Sequence, residues 1–226
     1  MVSNNFILME ISFNIIYLIF IWTFVLLMIK NRGNVKKEGS LLARIYLVGF
    51  FLLALGDTGH VGFRVLAYFA GGLEANSVLV GMGALSTAIT ITLLYMLILE
   101  AWRLTFNKSR TPGYYFLILV GLIRLILFIF PQNEWGNVVP PYIWSVTRNI
   151  PLIIQGLVAG ILLALEGKKK ENSLAIKLAI CIFISYGFYL PVIFLVQIFP
   201  LVGMFMIPKT IAYMAMAWFV YEEYFK

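Results

Sequence analysis

The chain has 226 residues, of which 62% are hydrophobic and 12% charged, and its mean hydropathy is +0.95. A soluble domain is about half apolar and about one quarter charged, so too little polar surface remains here to coat a water-soluble globule. The net charge of +7 is divided among short segments between apolar runs, which argues against a nucleic-acid partner and for signals that orient a chain in a membrane.

Seven apolar runs follow one another along the chain. The first, residues 6–29, lacks the basic leader and small-residue cleavage site of a signal peptide and reads as a helix ended by Asn31-Arg32-Gly33-Asn34. The second, 45–70, closes at Gly71-Gly72, and the third spans 78–101. Thr111-Pro112-Gly113 precedes the fourth and shortest, 114–130, and Pro140-Pro141 precedes the fifth, 142–165. Pro200 separates the sixth, 174–199, from the seventh, 201–221, a connection tight enough to make these two antiparallel neighbours. A membrane span needs about 20 mostly apolar residues. The expected fold is therefore all-α: one transmembrane domain over residues 1–226, a bundle of seven spanning helices in a multi-pass protein of the cell membrane.

Lysine and arginine counts orient the bundle. Lys30, Arg32, Lys36, Lys37 and Arg44 lie between the first two runs, and Arg103, Lys108 and Arg110 between the third and fourth. Lys168, Lys169, Lys170 and Lys177 lie between the fifth and sixth, and Lys226 ends the chain. The connections at 71–77, 131–141 and around 200 hold none. The basic side is expected to be cytoplasmic, which puts the N-terminus outside and the C-terminus in the cytoplasm. Trp135 and Trp144 are expected in the outer aromatic belt, and Trp102, Tyr114, Tyr115, Trp218, Tyr221 and Tyr224 in the inner one. Glu100 and Arg103, spaced i, i+3, read as a surface ion pair at the inner edge.

Four of the 17 basic residues remain inside apolar runs: Arg64, Arg124, Arg148 and Lys209. Asp57 and His60 join them in the second run. At a rise of about 1.5 Å per residue, Asp57, His60 and Arg64 lie about 18, 22 and 28 Å from the inner edge near Ile45. Arg124 lies about 15 Å in, while Arg148 and Lys209 lie about 9 and 12 Å from the outer edge. All six fall between mid-membrane and the outer surface. Ionisable groups at such depth face the bundle interior, and they mark substrate or ion pathways. One polar cavity opening outward is the expectation.

The second run carries the densest motif, Gly56-Asp57-Thr58-Gly59-His60-Val61-Gly62-Phe63-Arg64. Spacing of i, i+3, i+7 puts Asp57, His60 and Arg64 on one helical face, where Asp57 and Arg64 can form an ion pair. Gly56, Gly59 and Gly62 allow close backbone approach. In the fifth run Arg148, Asn149 and Gln155 surround Pro151, which frees a backbone carbonyl; Lys209 directly follows Pro208 in the seventh. Gly156 and Gly160 form a helix-packing pair, and Ser86 and Thr90 share a face of the third run. The polar, aromatic segment 131–136 is placed to cap the cavity mouth.

The lone cysteine, Cys181, allows no internal disulfide, and one histidine with one thiol builds no metal site. No motif for a cofactor is present. Three functions fit. In the first, Asp57, His60, Arg64, Arg124, Arg148, Asn149, Gln155 and Lys209 bind or transport a small anion or a lipid head group, since guanidinium forks match carboxylate and phosphate. In the second, an intramembrane enzyme acts on a lipid with Asp57 or His60 as acid/base. In the third, a sensor or interaction protein keeps a purely structural polar core. The expected partners are membrane lipids and an anionic small molecule; nothing in the sequence sets an oligomeric state.

The topology is directly testable. In a Cys181→Ala background, single cysteines at Asn34 and Asn137 should label oppositely with an impermeant maleimide applied from outside. Labelling of Asn34→Cys but not Asn137→Cys would invert the orientation.

Overall fold

The structure is a computed structural model that describes residues 4–226, with side chains from Leu8 onward, so the first three residues of the expected domain lie outside it. Among the described residues every regular element is helical. The elements are α1 (Asn4–Lys30), α2 (Ser40–Asp57), a π-helical turn (Thr58–Gly62), α3 (Phe63–Phe69), α4 (Ser77–Thr105), α5 (Pro112–Leu127), α6 (Tyr142–Lys169), α7 (Ser173–Leu195) and α8 (Met206–Tyr224). Because α2, the π turn and α3 are continuous, these elements form seven rods.

Six rods are long and apolar enough to cross a membrane. The α5 rod has 16 residues, about 24 Å of helix against a hydrocarbon core about 30 Å thick. Its limits have local causes. Thr111 caps the start, its hydroxyl accepting from the Tyr114 amide at 3.3 Å with Pro112 behind it. At the other end Pro131 holds Phe130 in an extended conformation, and buried Asn133 donates through Nδ2 to the carbonyls of Leu127 (2.7 Å) and Phe130 (2.9 Å). The three residues 128–130, apolar in sequence, leave the helix here.

The connection between the last two rods is longer than one proline break. α7 ends at Leu195, and a 3₁₀ turn, Pro200–Phe205, leads into α8. Phe199 is extended (φ −124°, ψ 87°), as a residue before proline tends to be. α7 and α8 are packed neighbours all the same.

The rods close into a ring in which each packs on the next, and α4 also packs on α6. Glycine sets the closest crossing. A Cβ on Gly56 would lie 1.8 Å from Thr90 Oγ1 and 3.1 Å from the Thr87 Cα, and one on Gly83 would lie 2.5 Å from the Gly59 carbonyl oxygen. Backbone therefore meets backbone between the π turn and α4, as small residues permit in helix pairs. Gly62 has no such neighbour outside its own turn, where Thr58 lies 4.0 Å away. Gly156 and Gly160 seat α6 against Tyr186, Ile182 and Phe183 of α7. Ile19, Leu26, Leu66, Ile126, Leu165, Ile180 and Ile211 are exposed on the outside of the bundle. That exterior is one lipid can solvate and water cannot.

The basic connections gather at one end. Asn31 Nδ2 donates to Tyr221 Oη at 2.9 Å, Lys108 pairs with Glu166 at 2.7 Å, and Arg103 pairs with Glu100 at 2.7 Å, as the i, i+3 spacing predicts. At the opposite end Gln197 Nε2 donates to the Pro140 carbonyl at 2.8 Å, and Gly81 lies against the Trp135 backbone.

Alanine at these glycines tests the crossing. Gly56→Ala and Gly83→Ala should destabilise the protein by about 1–3 kcal/mol through overpacking. Gly62→Ala, in open helical backbone, should be neutral or stabilising by up to about 1 kcal/mol. Thermal unfolding in detergent compares the three; equal shifts would mean that the crossing is not tightly packed.

Candidate functional site

A cavity of about 530 Å³ lies in the half of the bundle that holds the connections without basic residues. Asp57, His60, Arg64, Arg124, Arg148, Asn149 and Lys209 all line it. Gln155 does not: it is fully buried between α6 and α5, donating through Nε2 to the Leu117 carbonyl at 3.2 Å. On α4 the wall is formed by Ala84, Thr87, Ala88 and Ile91. Ser86 and Thr90 instead face the glycines of the π turn and α2, and the Thr90 hydroxyl bonds back to the Ser86 carbonyl at 3.1 Å.

The carboxylate pairing differs from the one that the spacing predicts. Arg64 pairs with Glu10 of α1, through Nη2 at 2.8 Å and Nε at 3.0 Å, and Tyr68 Oη donates to the other Glu10 oxygen at 3.0 Å. Asp57 accepts instead from two hydroxyls, Tyr17 of α1 and Thr87 of α4, the latter at 2.6 Å. The π turn explains this. It holds more residues per turn than the 3.6 of an α-helix, so Arg64 falls short of two full turns from Asp57 and swings toward α1. The Thr58 hydroxyl fixes the turn, receiving Trp22 Nε1 at 2.9 Å and donating to the Ala54 carbonyl at 2.7 Å. Turns of this kind recur at functional sites.

Among the described residues Arg124 has no carboxylate partner. Its Nε donates to the Arg148 carbonyl (2.8 Å), Nη1 to the Ala88 carbonyl (3.0 Å) and Thr92 Oγ1 (2.6 Å), and Nη2 to Asn149 Oδ1 (3.1 Å). Neutral oxygens of α4 and α6 thus hold a buried guanidinium that starts on α5. Asn149 is committed as well, since its Oδ1 also receives Tyr189 Oη at 3.2 Å and its Nδ2 donates to the Ser145 carbonyl at 2.8 Å.

Arg148 lies over the Trp135 ring, 4.3 Å from its centroid, and donates through Nη1 to Asn133 Oδ1 at 3.3 Å. Trp135 thus forms part of the cavity wall, and its Nε1 donates to the Phe128 carbonyl at 3.1 Å. Lys209 makes no hydrogen bond or ion pair among the described residues; its Nζ lies over the Tyr189 ring at 4.1 Å and the Tyr213 ring at 5.8 Å. The buried His60 Nδ1 also lacks a partner. Four cationic side chains against two carboxylates leave the cavity with two excess positive charges.

Sequence reasoning missed Glu10, Tyr17, Thr87 and Tyr189. Glu10 had a signal: it is the one acid in the first apolar run, at the depth of Arg64. Tyr17 follows it by seven residues on the same face. Thr87 and Tyr189 carry no mark that distinguishes them from other hydroxyls in apolar runs.

The chain matches no protein-family model, no curated protein and no solved structure.

A double-mutant cycle tests the pairing. Glu10→Gln and Arg64→Gln should each lower the melting temperature, with a coupling of about 1–3 kcal/mol between them. Asp57→Asn with Arg64→Gln should be additive to within about 0.5 kcal/mol. The reverse pattern would restore the Asp57–Arg64 pair.

Proposed function

We propose that this is a seven-span protein of the cell membrane, N-terminus outside, whose outward-facing cationic cavity binds or transports a small anion or a lipid head group. The observation that carries the reading is Lys209. A half-buried lysine ammonium that among the described residues has no hydrogen bond and no carboxylate within 4 Å, and that shares its cavity with a partly free Arg148, lacks the negative charge that a low-dielectric setting demands. An anion supplies it. Cation–π contact with Tyr189 and Tyr213 favours the ammonium only modestly and leaves its three N–H donors available.

The fourth rod fits the span count through its capped turn: residues 128–133 continue past α5 and bring its length near the membrane requirement. One-sided basic loops supply the orientation. Free His60 Nδ1 and hydroxyl-bound Asp57 in the same cavity support a second reading, an intramembrane enzyme acting on a lipid. The two groups share no hydrogen bond, and Asp57 is already engaged by Tyr17 and Thr87, so binding is the better-supported role.

Thermal unfolding of the purified protein should respond to a panel of phosphate, sulfate, small carboxylates and anionic lipids. A ligand at about 100 times its Kd stabilises by about 2.7 kcal/mol. At least one anion should raise the melting temperature of the wild type and leave Lys209→Gln unmoved. A panel that shifts neither protein, or both equally, would refute the reading. Turnover of a lipid that disappears in Asp57→Asn while binding persists would favour the enzyme.

A further inference from the structure

The walls of the cavity are apolar wherever they are not charged. Beside the cations stand Met9 and Phe13 of α1, Ile193 and Val196 near the end of α7, and Met204 and Ile207 at the start of α8. A site for a small hydrated anion has no use for such surface. A ligand pocket of this size, apolar with a few fixed polar groups, suits a molecule with both characters.

The polar groups are not equally available. Four of the five N–H donors of Arg124 are taken by neutral oxygens, and Arg64 is held by Glu10. Lys209 and the free side of Arg148 remain, so one anionic group is the complement of the site.

The packing of α1 shows a way in. From Tyr17 onward one face of α1 is buried through Tyr17, Ile21, Phe24, Val25 and Met28, the Phe24 ring packing on Trp218 and Tyr221 of α8 with centroids 5.5 Å apart. From Leu8 to Ile16 no side chain is buried, and Met9, Glu10, Phe13 and Asn14 line the cavity. The helices that touch at one end of the bundle are therefore separated by the cavity at the other, where the neighbouring exterior is apolar. Glu10, bonded to Arg64 and Tyr68, ties this half of α1 to α3 and not to α8.

We infer that the cavity takes a single-chain anionic amphiphile, entering sideways from the membrane between the outer half of α1 and the start of α8. Its anionic group lies on Lys209 and Arg148, and its chain lies along Met9, Phe13, Met204 and Ile207. The inference rests on the cavity being an anion site and adds the apolar chain and the lateral route. A fatty acid and a lysophospholipid share this chemistry, one ending in a carboxylate and the other in a phosphate.

The test uses the full-length protein in nanodiscs of phosphatidylcholine, with tritiated palmitate, tritiated 1-palmitoyl lysophosphatidate and inorganic phosphate as probes. At least one amphiphile should bind saturably, and inorganic phosphate should compete poorly. Palmitate alone would assign a carboxylate and the lysolipid alone a phosphate; either supports the inference. Lys209→Gln and Lys209→Met should weaken amphiphile binding at least ten-fold, and Lys209→Arg should retain it. Ile207→Asn should weaken amphiphile binding at least five-fold, with a melting curve recorded for each variant to confirm that it is folded. If phosphate binds as tightly as either amphiphile and Ile207→Asn changes nothing, the chain lies elsewhere. The amphiphile inference then falls while the anion site stands. Binding of every probe that is absent or indifferent to Lys209 would overturn both.

Discussion

A guanidinium without a carboxylate sits where three helices meet, and the cavity takes its shape from the way that charge is accommodated. Arg124 begins on α5 and ends among oxygens of α4 and α6, two of them backbone carbonyls. Leaving a charge unsolvated in a low-dielectric interior costs far more than leaving a neutral amide so, and each donor must find an oxygen. Satisfying this one residue fixes how far apart α4 and α6 stand. It also commits Asn149, which in turn receives Tyr189 from α7 and so places the ring beneath Lys209. A hydrogen-bond network of this kind is worth more than its separate pairs, because each member orients the next.

The other cations are handled by different means. Arg64 has a carboxylate, Glu10, and the two neutralise one another at the edge of the cavity. Arg148 has an indole face and one amide oxygen, which hold it in place and leave donors free. Lys209 has only ring faces. Along this series the protein supplies progressively less of the compensation, and the two least compensated groups are the ones on which the proposed anion site rests. A purely structural polar core should tend the other way, toward pairing every buried charge.

Close backbone packing and the cavity belong to the same design. Gly56, Gly59 and Gly83 bring the π turn against α4, so that Thr87 reaches Asp57 across a helix crossing. The turn also rotates Arg64 out of the line of Asp57 and His60 and toward α1. The two carboxylates thereby have separate partners, and α1 is fastened to the rest of the bundle in two places, through Tyr17 to Asp57 and through Glu10 to Arg64. Between those fastenings and α8 the bundle stays open.

Composition and periodicity by themselves determined that the chain is helical and apolar, where most of its helices run, and which cations sit inside the apolar runs. These are local or additive properties: about 20 apolar residues make a span wherever they occur, and a charge in such a run stands out by subtraction. The sequence did not show that residues 128–130 leave the helix, because the decisive contact is Asn133 folding back on Leu127 and Phe130. Nor did it show that ten residues join α7 to α8. The pairing of Arg64 lay equally beyond it, since an i, i+7 rule assumes a regular α-helix and one π turn cancels it. Gln155 and Asn149 look alike in sequence, yet one meets α5 and the other the cavity, because they stand on different sides of α6. Which polar groups share a space, and which of them are left without a partner, is decided only when helices distant in sequence pack together.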